Sequence, residues 1–344
     1  MKRPVAGLSY DFIFPKLHGM WSKSVVGDAL HHLVQTARPD ALERSLAGLG
    51  VDVKDRSTFQ KRLTELHIDE LGRVARLLDQ RTSDFYSALI DRYYFENLKT
   101  ILHYHHFPNQ DVGIEYLLIQ SDSFPSFDLE RVISARNVNQ FVRALPQHPV
   151  MEHMLPLLVE LDDTKDLFVA ESRLDRYCYG YMCEAARRLP RATRHLGQTF
   201  VATEIDIENL VMALRNAAVY QLENEILEEL WIEGGEQIRG ETLQALAESA
   251  EKGIDPSVLP KPYARIVEQV VDQELYVVEN DLWDLLHASA YEAFSNFDRP
   301  SGAVVAFPYL KRFELLNIGR VYEGIHFGLA PDAMQSMMIG ARRV

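Results

Sequence analysis

Apolar residues recur along most of this chain at the three- and four-residue spacing of amphipathic helices, and strand-like alternation is nearly absent. The clearest stripes cover residues 65–78, 127–145, 171–189 and 274–297. Proline, glycine and asparagine cluster between them, for example at 107–109 and 255–262, as is typical of loops that join helices. The pattern predicts an all-α fold.

Three segments align without gaps around an asparagine, namely Asn97, Asn209 and Asn317. These asparagines are 112 and 108 residues apart, and positions −8, −7, −4, +1, +4 and +5 from each are apolar or aromatic in all three copies. The offsets trace one face of a helix. Each copy is therefore expected to contain a long helix, here called a stripe helix, with the asparagine beside its buried face.

The similarity extends to the neighbouring elements. Glu171 and Glu279 both stand 38 residues before their asparagine and open an amphipathic helix that precedes the stripe helix. A short helix is expected after each stripe helix, within 110–120, 222–233 and 331–338. The chain is thus predicted to use one helical-bundle unit three times, with unit boundaries at 1–148, 149–257 and 258–344. Three such units could form a ring or an arc.

An asparagine in the middle of a helix is mildly unfavourable, so three at one offset need a shared reason. The side-chain amide both donates and accepts hydrogen bonds. It can therefore tie the stripe helix to a neighbouring backbone, and we favour this structural role over a ligand role.

The composition and charge of the chain argue against some classes of binding partner and indicate where the protein is located. The chain has 344 residues, is 47% hydrophobic and 25% charged, and carries a net charge of −14, all of which suits an ordinary globular protein. The acidic balance argues against a nucleic-acid binder and against direct docking on an anionic lipid surface. Two cysteines, Cys178 and Cys183, are expected to be reduced thiols. Without a signal-peptide core or an apolar stretch of membrane-spanning length, a cytoplasmic or peripheral location is expected.

Signatures of common enzymes are missing from the sequence, including the phosphate-binding loop, the dinucleotide fingerprint, the nucleophile elbow and the zinc-binding helix. One cluster could bind a metal, because His103 and His106 share a helix face and Glu96 or Glu115 could be a third ligand. Against this, the cluster lies at the end of the first stripe helix, where histidine can cap carbonyls. No cofactor is expected. Two alternatives remain, a helical metalloenzyme using His103 and His106 and a helical-repeat adaptor.

The aligned residues resemble a known family. Asp206 to Arg215 resembles its most distinctive segment, Phe95 to Leu102 is similar to the first-unit counterpart, and Phe313 to Arg320 is similar to the third. The family is that of the C subunits of bacterial and archaeal V/A-type rotary ATPases, whose counterpart in the eukaryotic vacuolar enzyme is the d subunit. Departures lie in the first unit, where Tyr10 to Met20 lacks the usual basic pattern and His103 stands where arginine is usual.

The resemblance implies a non-catalytic coupling subunit. It implies three similar helical units arranged as a funnel with pseudo-threefold symmetry. One face would sit on the membrane-embedded proteolipid ring, and the central hollow would receive the foot of the rotating stalk, built from D-type and F-type subunits. The motif residues that carry the repeat are Asn97, Asn209, Asn317, Asp206, Arg215, Glu314 and Arg320. No nucleic acid and no directly bound nucleotide are implied.

Overall fold

The computed structural model describes residues 8–47, 51–106, 113–123, 125, 127–135, 138–146, 148, 154, 156–159, 167–250, 254–271 and 274–340. The helices are α1 (Tyr10–Trp21), α2 (Asp28–Thr36), α3 (Pro39–Leu46), α4 (Arg56–Ala75), α5 (Gln80–His106), α6 (Ile114–Leu117), α7 (Leu129–Ser134), α8 (Val138–Ala144), α9 (Leu167–Arg188), α10 (Arg191–Arg215), α11 (Asn224–Leu230), α12 (Glu241–Ala250), α13 (Lys261–Val267), α14 (Leu275–Ser295), α15 (Pro300–His326) and α16 (Pro331–Ser336). Short helical turns occur at Asn216–Tyr220, Pro256–Val258 and Glu268–Val271. Within these ranges no strand occurs, which confirms the all-α prediction.

Three pairs of long helices form the framework. A short turn joins α4 to α5, α9 to α10 and α14 to α15, so each pair is antiparallel, and the second member is the stripe helix. We call these the first, second and third helix pairs. The short helices expected after each stripe helix are present as α6, α11 and α16.

One expected helix is divided in two. The stripe over 127–145 becomes α7 and α8, and the backbone is extended at Ala135, directly after Ser134. Serine and asparagine are weak helix formers because their side chains compete for backbone hydrogen bonds. The apolar spacing continues across this break, which explains why periodicity alone indicated one helix.

The apolar stripe of each second helix is buried as expected. At position +1 from the asparagines, Leu98, Leu210 and Ile318 are 0%, 0% and 2% exposed. These side chains pack inside their own pair and against the short segments around it. Burial of this stripe is the main source of stability for helices of this kind.

The pairs also pack on one another. Helix α5 lies against α9, α10 against α14 and α15, and α15 against α4. Each helix pair therefore contacts both of the others, and most of the buried apolar side chains form one continuous core. None of the helices in the described ranges has both the length and the apolar run that crossing a bilayer requires.

Residues 10–46 lie against the third helix pair, although they precede the first in sequence. Helix α1 packs on α15, α2 packs on α15 and α16, and α3 packs on α15. Leu33, Val34 and Leu46 of this segment share a core cluster with Ile318 and Met334 of the third unit. A first unit that begins at residue 1 thus contains a segment that packs on the third pair. The unit boundaries at 148 and 257 stay predictions.

Candidate functional site: the centre and contacts of the helix pairs

The three repeat asparagines make the same two hydrogen bonds. Each amide donates to the carbonyl of an isoleucine 22 or 23 residues further on and accepts from the N–H of that residue. The pairs are Asn97 with Ile119, Asn209 with Ile232 and Asn317 with Ile339, at 2.7–2.9 Å. The isoleucine lies in the segment that returns along the pair after the stripe helix. The two bonds therefore hold this segment in one register against the helix.

Asp206 holds the segment that follows the second pair. Its buried carboxylate accepts the backbone N–H groups of Gln237 and Ile238 at 2.8 and 2.9 Å, and the hydroxyl of Tyr263 at 3.0 Å. Burial raises the pKa of Asp206, and these three donors offset only part of that rise. The side chain thus fastens Gln237, Ile238 and Tyr263 to α10.

Glu314 stands at the equivalent offset in the third copy, three residues before the asparagine. It accepts the backbone N–H of Val25 at 2.7 Å and forms an ion pair with Lys311. Where Asp206 fastens the segment that leads into the third pair, Glu314 fastens the segment that leads into the first. Arg320, six residues further along α15, donates to the carbonyl of Met337 at 2.6 Å.

Each stripe helix contacts the start of the next pair through the residue at position +6. The contacts are His103–Glu171 at 2.6 Å, Arg215–Glu279 at 2.7 Å and Glu323–Arg56 at 2.9 Å. They run from the first pair to the second, from the second to the third and from the third back to the first. In the last contact the acidic residue is on the stripe helix and the basic residue is on the next pair, the reverse of the Arg215–Glu279 contact. Since each partner is at least partly exposed, one such contact adds at most about 1 kcal/mol to the free energy of unfolding. Its main effect is on the orientation of one helix pair relative to the next.

The histidine cluster lies at the contact between the first two pairs. There His103 faces Glu171, and the side chain of His106 lies outside the described residues. In the part of the chain that the structure describes, no three His, Cys, Asp or Glu side chains are arranged to hold a metal ion.

A buried charge cluster lies where the three pairs meet. Nη1 of Arg92 lies 2.7 Å and Nη1 of Arg312 lies 2.5 Å from Oε1 of Glu204, whose side chain is 0% exposed. These residues stand five positions before Asn97, Asn209 and Asn317. Equivalent positions of all three copies thus converge on one point. We call Arg92, Glu204 and Arg312 the central triad.

Sequence reasoning did not identify the central triad, although a signal was present. The position five residues before each asparagine is charged in all three copies, beside an otherwise apolar stripe, and the signs are plus, minus and plus. A charge at this position in a single copy suggests a side chain at the border of the apolar stripe that is exposed to solvent. Opposite charges at the same offset in a threefold repeat indicate side chains that meet.

The triad sets the electrostatics of the centre. Burial alone would raise the pKa of Glu204, but Arg92 and Arg312 outweigh it and lower that pKa to about 2. Burial lowers the pKa of His67 to about 3, and the nearby cations Lys311, Arg312 and Arg92 add to the effect. At neutral pH the centre therefore holds an ionised carboxylate between two guanidinium groups and a neutral imidazole.

Beside the triad, a cavity of about 210 Å³ lies between the first and second pairs. Its wall includes both signs of charge, from Lys99, Asp175 and Glu208, and the Lys99–Asp175 ion pair crosses it at 2.6 Å. Burial raises the pKa of the Cys178 thiol, also in this wall, so that it is protonated at neutral pH and a weak nucleophile. A cavity of this polarity suits water rather than an apolar ligand.

The neutral state of His67 predicts a pH effect on stability. The unfolded chain protonates this imidazole below about pH 6.5 and the folded chain only near pH 3, so falling pH favours unfolding by up to about 1.4 kcal/mol per unit. We expect the stability of His67→Gln relative to the original chain to rise as pH falls through this window. Urea unfolding at several pH values measures it. The matched control is His32→Gln, an exposed position, and a pH-independent difference for His67→Gln would contradict the assignment.

Comparisons with known protein families and with curated proteins match this chain to one family. The profile of the ATP synthase (C/AC39) subunit family matches residues 27–337. The C subunit of the A-type ATP synthase of Methanosphaera stadtmanae is 23% identical over 252 residues, which is 71% of this chain and 65% of that protein. The corresponding protein of Methanocaldococcus jannaschii is 19% identical over 295 residues, 84% of this chain and 73% of that protein.

A third relative, the C subunit of the A-type ATP synthase of Methanosarcina mazei, is 26% identical over 159 residues, 46% of this chain and 43% of that protein. The chain thus spans slightly less than two thirds of the length of the Methanosphaera protein and more of the Methanocaldococcus one. The family profile, in contrast, extends over nearly the whole of this chain, including all three helix pairs. The chain therefore belongs to the ATP synthase (C/AC39) subunit family.

Proposed function

We propose that this chain is a non-catalytic coupling subunit of a V/A-type rotary ATPase. It joins the central rotor stalk to the membrane proteolipid ring and transmits torque, for ATP-driven ion transport or for ATP synthesis. Its partners are the D-type and F-type stalk subunits and the ring, and it lies at the cytoplasmic surface of the membrane as part of the complex. Family membership and the absence of enzyme signatures from the sequence support this proposal.

The observation that carries the proposal is the cyclic contact of the three helix pairs around the central triad. Equivalent residues meet at one point and equivalent contacts recur between neighbours, which favours a pseudo-threefold funnel. A part that transmits torque must resist shear between its units. Here the continuous core, the asparagine bonds and the buried triad all oppose such sliding.

One end of the second helix pair has the charge expected of a stalk-binding surface. Residues 216–238 contain no lysine or arginine. Their six glutamates, all exposed, are Glu223, Glu225, Glu228, Glu229, Glu233 and Glu236. Val219 is 66% exposed and Tyr220 43% exposed beside them. An acidic surface with exposed apolar groups suits a basic amphipathic partner, and we assign this end to the stalk.

Affinity purification of the tagged chain from gently solubilised membranes tests this function. Stalk and proteolipid-ring subunits are expected to co-purify in constant proportion. The triple variant Glu225→Gln/Glu228→Gln/Glu229→Gln should retain the ring but bind the stalk several-fold more weakly, with a smaller salt dependence, because long-range attraction is reduced.

The matched control is Glu43→Gln/Glu130→Gln/Glu292→Gln, which removes the same charge at exposed positions elsewhere. It should behave like the original chain. Purification without any stalk or ring subunit would contradict the coupling role and favour an adaptor unrelated to ATPases. Equal stalk binding by both triple variants would contradict only the assignment of the acidic end.

A further inference from the structure

Helix α1 lies across the turns of all three helix pairs. The backbone N–H of Leu8 donates to Leu77 in the first turn at 3.0 Å, and the hydroxyl of Tyr10 lies near the side chain of Thr193 beside the second. Nε2 of His18 lies 3.1 Å from the carbonyl of Phe294, beside the third turn. Ile13 and Leu17, on the inner face of α1, are 1% and 0% exposed. The helix therefore covers the end of the molecule at which the three turns come together, here called the turn end.

The outer surface of the turn end exposes large apolar side chains. Leu8 is 42%, Phe12 59% and Phe297 74% exposed. Phe297 stands in the third turn, and its ring centroid is 5.3 Å from that of Phe14 in α1. Phe12 is exposed on α1, and Leu8 lies two residues before this helix begins. Exposed apolar groups of this size that share a surface are typical of an interaction site.

The charge of the turn end differs from that of the whole chain. The turn end comprises residues 8–16 and the three turns with five residues on either side, which are 71–84, 184–195 and 291–304. Nine cations occur there, namely Lys16, Arg73, Arg76, Arg81, Arg187, Arg188, Arg191, Arg194 and Arg299. The six anions are Asp11, Asp79, Asp84, Glu184, Glu292 and Asp298. The balance is positive although the net charge of the chain is −14.

The largest share of this positive charge surrounds the turn between α9 and α10, where four cations accompany one anion. Glu184 forms ion pairs with Arg187 and Arg188. The pKa of Glu184 is lowered, mainly by the hydrogen bond from Arg188 and by the charge of that residue. Arg191 and Arg194, one turn apart at the start of α10, are exposed, and within the described residues neither forms an ion pair with a carboxylate. They adjoin Thr193, which Tyr10 contacts. The uncompensated cations therefore lie next to the apolar outer face of α1.

We propose that the turn end docks directly on an anionic phospholipid surface. Lipid phosphates would bind Arg191 and Arg194, and Leu8, Phe12 and Phe297 would enter the interface between headgroups and acyl chains. The guanidinium group binds phosphate through two parallel hydrogen bonds. A fluid surface accommodates apolar groups that stand on separate elements, whereas a folded partner would need a matched groove. Net charge alone argues against such docking, but the average over the chain conceals this basic end.

Vesicle flotation of the isolated full-length chain tests this proposal and does not depend on the coupling function. The chain is expected to float with phosphatidylcholine vesicles that contain phosphatidylglycerol and not with phosphatidylcholine alone, and added salt should reduce binding. Each basic residue near such a surface contributes about five-fold in binding, so Arg191→Gln/Arg194→Gln should weaken it about thirty-fold. The control Arg38→Gln/Arg44→Gln removes the same charge from exposed sites on and beside α3.

A second pair of variants tests the contribution of the exposed apolar side chains to vesicle binding. Phe297→Ser should weaken flotation, whereas Val219→Ser, at a side chain of similar exposure near the acidic end, should not. Equal binding to neutral vesicles, or an unchanged Arg191→Gln/Arg194→Gln variant, would overturn the proposal. Failure of the original chain to float would overturn it as well. If, in addition, the arginine variant loses a protein that co-purifies with the original chain, the occupant of the turn end is an acidic protein surface.

Discussion

Replacing Glu204 by glutamine is expected to lower the free energy of unfolding by about 3–5 kcal/mol. The substitution leaves Arg92 and Arg312 facing each other at the buried meeting point of the three helix pairs without the carboxylate that pairs with both of them. Neither guanidinium group can lose its proton to escape the cost. Urea unfolding followed by far-ultraviolet circular dichroism measures the change, and the loss should appear in the midpoint with little change in slope.

Two further variants separate the triad from a general effect of charge. Glu184→Gln removes a carboxylate from an exposed ion pair and should leave the unfolding midpoint almost unchanged. The triple variant Arg92→Met/Glu204→Leu/Arg312→Met removes all three charges at once and should recover most of the loss, because apolar packing can replace a buried ion cluster. If Glu204→Gln is as stable as the original chain, the triad does not hold the pairs together.

Replacing Asn209 by leucine is expected to cost about 2–4 kcal/mol. Leucine has a similar size, but it leaves the N–H and the carbonyl of Ile232 buried without their partners. The returning segment should detach from α10 more often than in the original chain. Hydrogen exchange should therefore rise in residues 222–233 before it rises elsewhere, since local opening costs less than global unfolding.

The repeat supplies internal controls for this prediction. Asn97→Leu and Asn317→Leu break the same pair of bonds, to Ile119 and Ile339, and should show the same class of effect. Gln198→Leu removes an exposed amide from the same helix as Asn209 and should stay within about 0.5 kcal/mol. Similar exchange in Asn209→Leu and Gln198→Leu would show that the asparagine does not hold the returning segment.

Local patterns identified the elements well where the apolar period was long and uninterrupted. The expected helices at 171–189 and 274–297 are α9 and α14, each within four residues at either end. The prediction was less accurate at 65–78, where α4 begins at Arg56, and at 127–145, where two short helices occur. At both places polar side chains decide where the helix begins or breaks, and the apolar period does not contain that information.

The sequence by itself determined the helices, the threefold repeat and the asparagine beside each buried stripe, because these depend on residues close together on one helix. The tertiary structure alone decided that Arg92, Glu204 and Arg312 meet, since which face of each pair turns inward depends on how three separate units pack. It also decided that residues 10–46 lie on the third pair and that the cations gather at the turn end. Such contacts join residues far apart in the chain, and no local period encodes them.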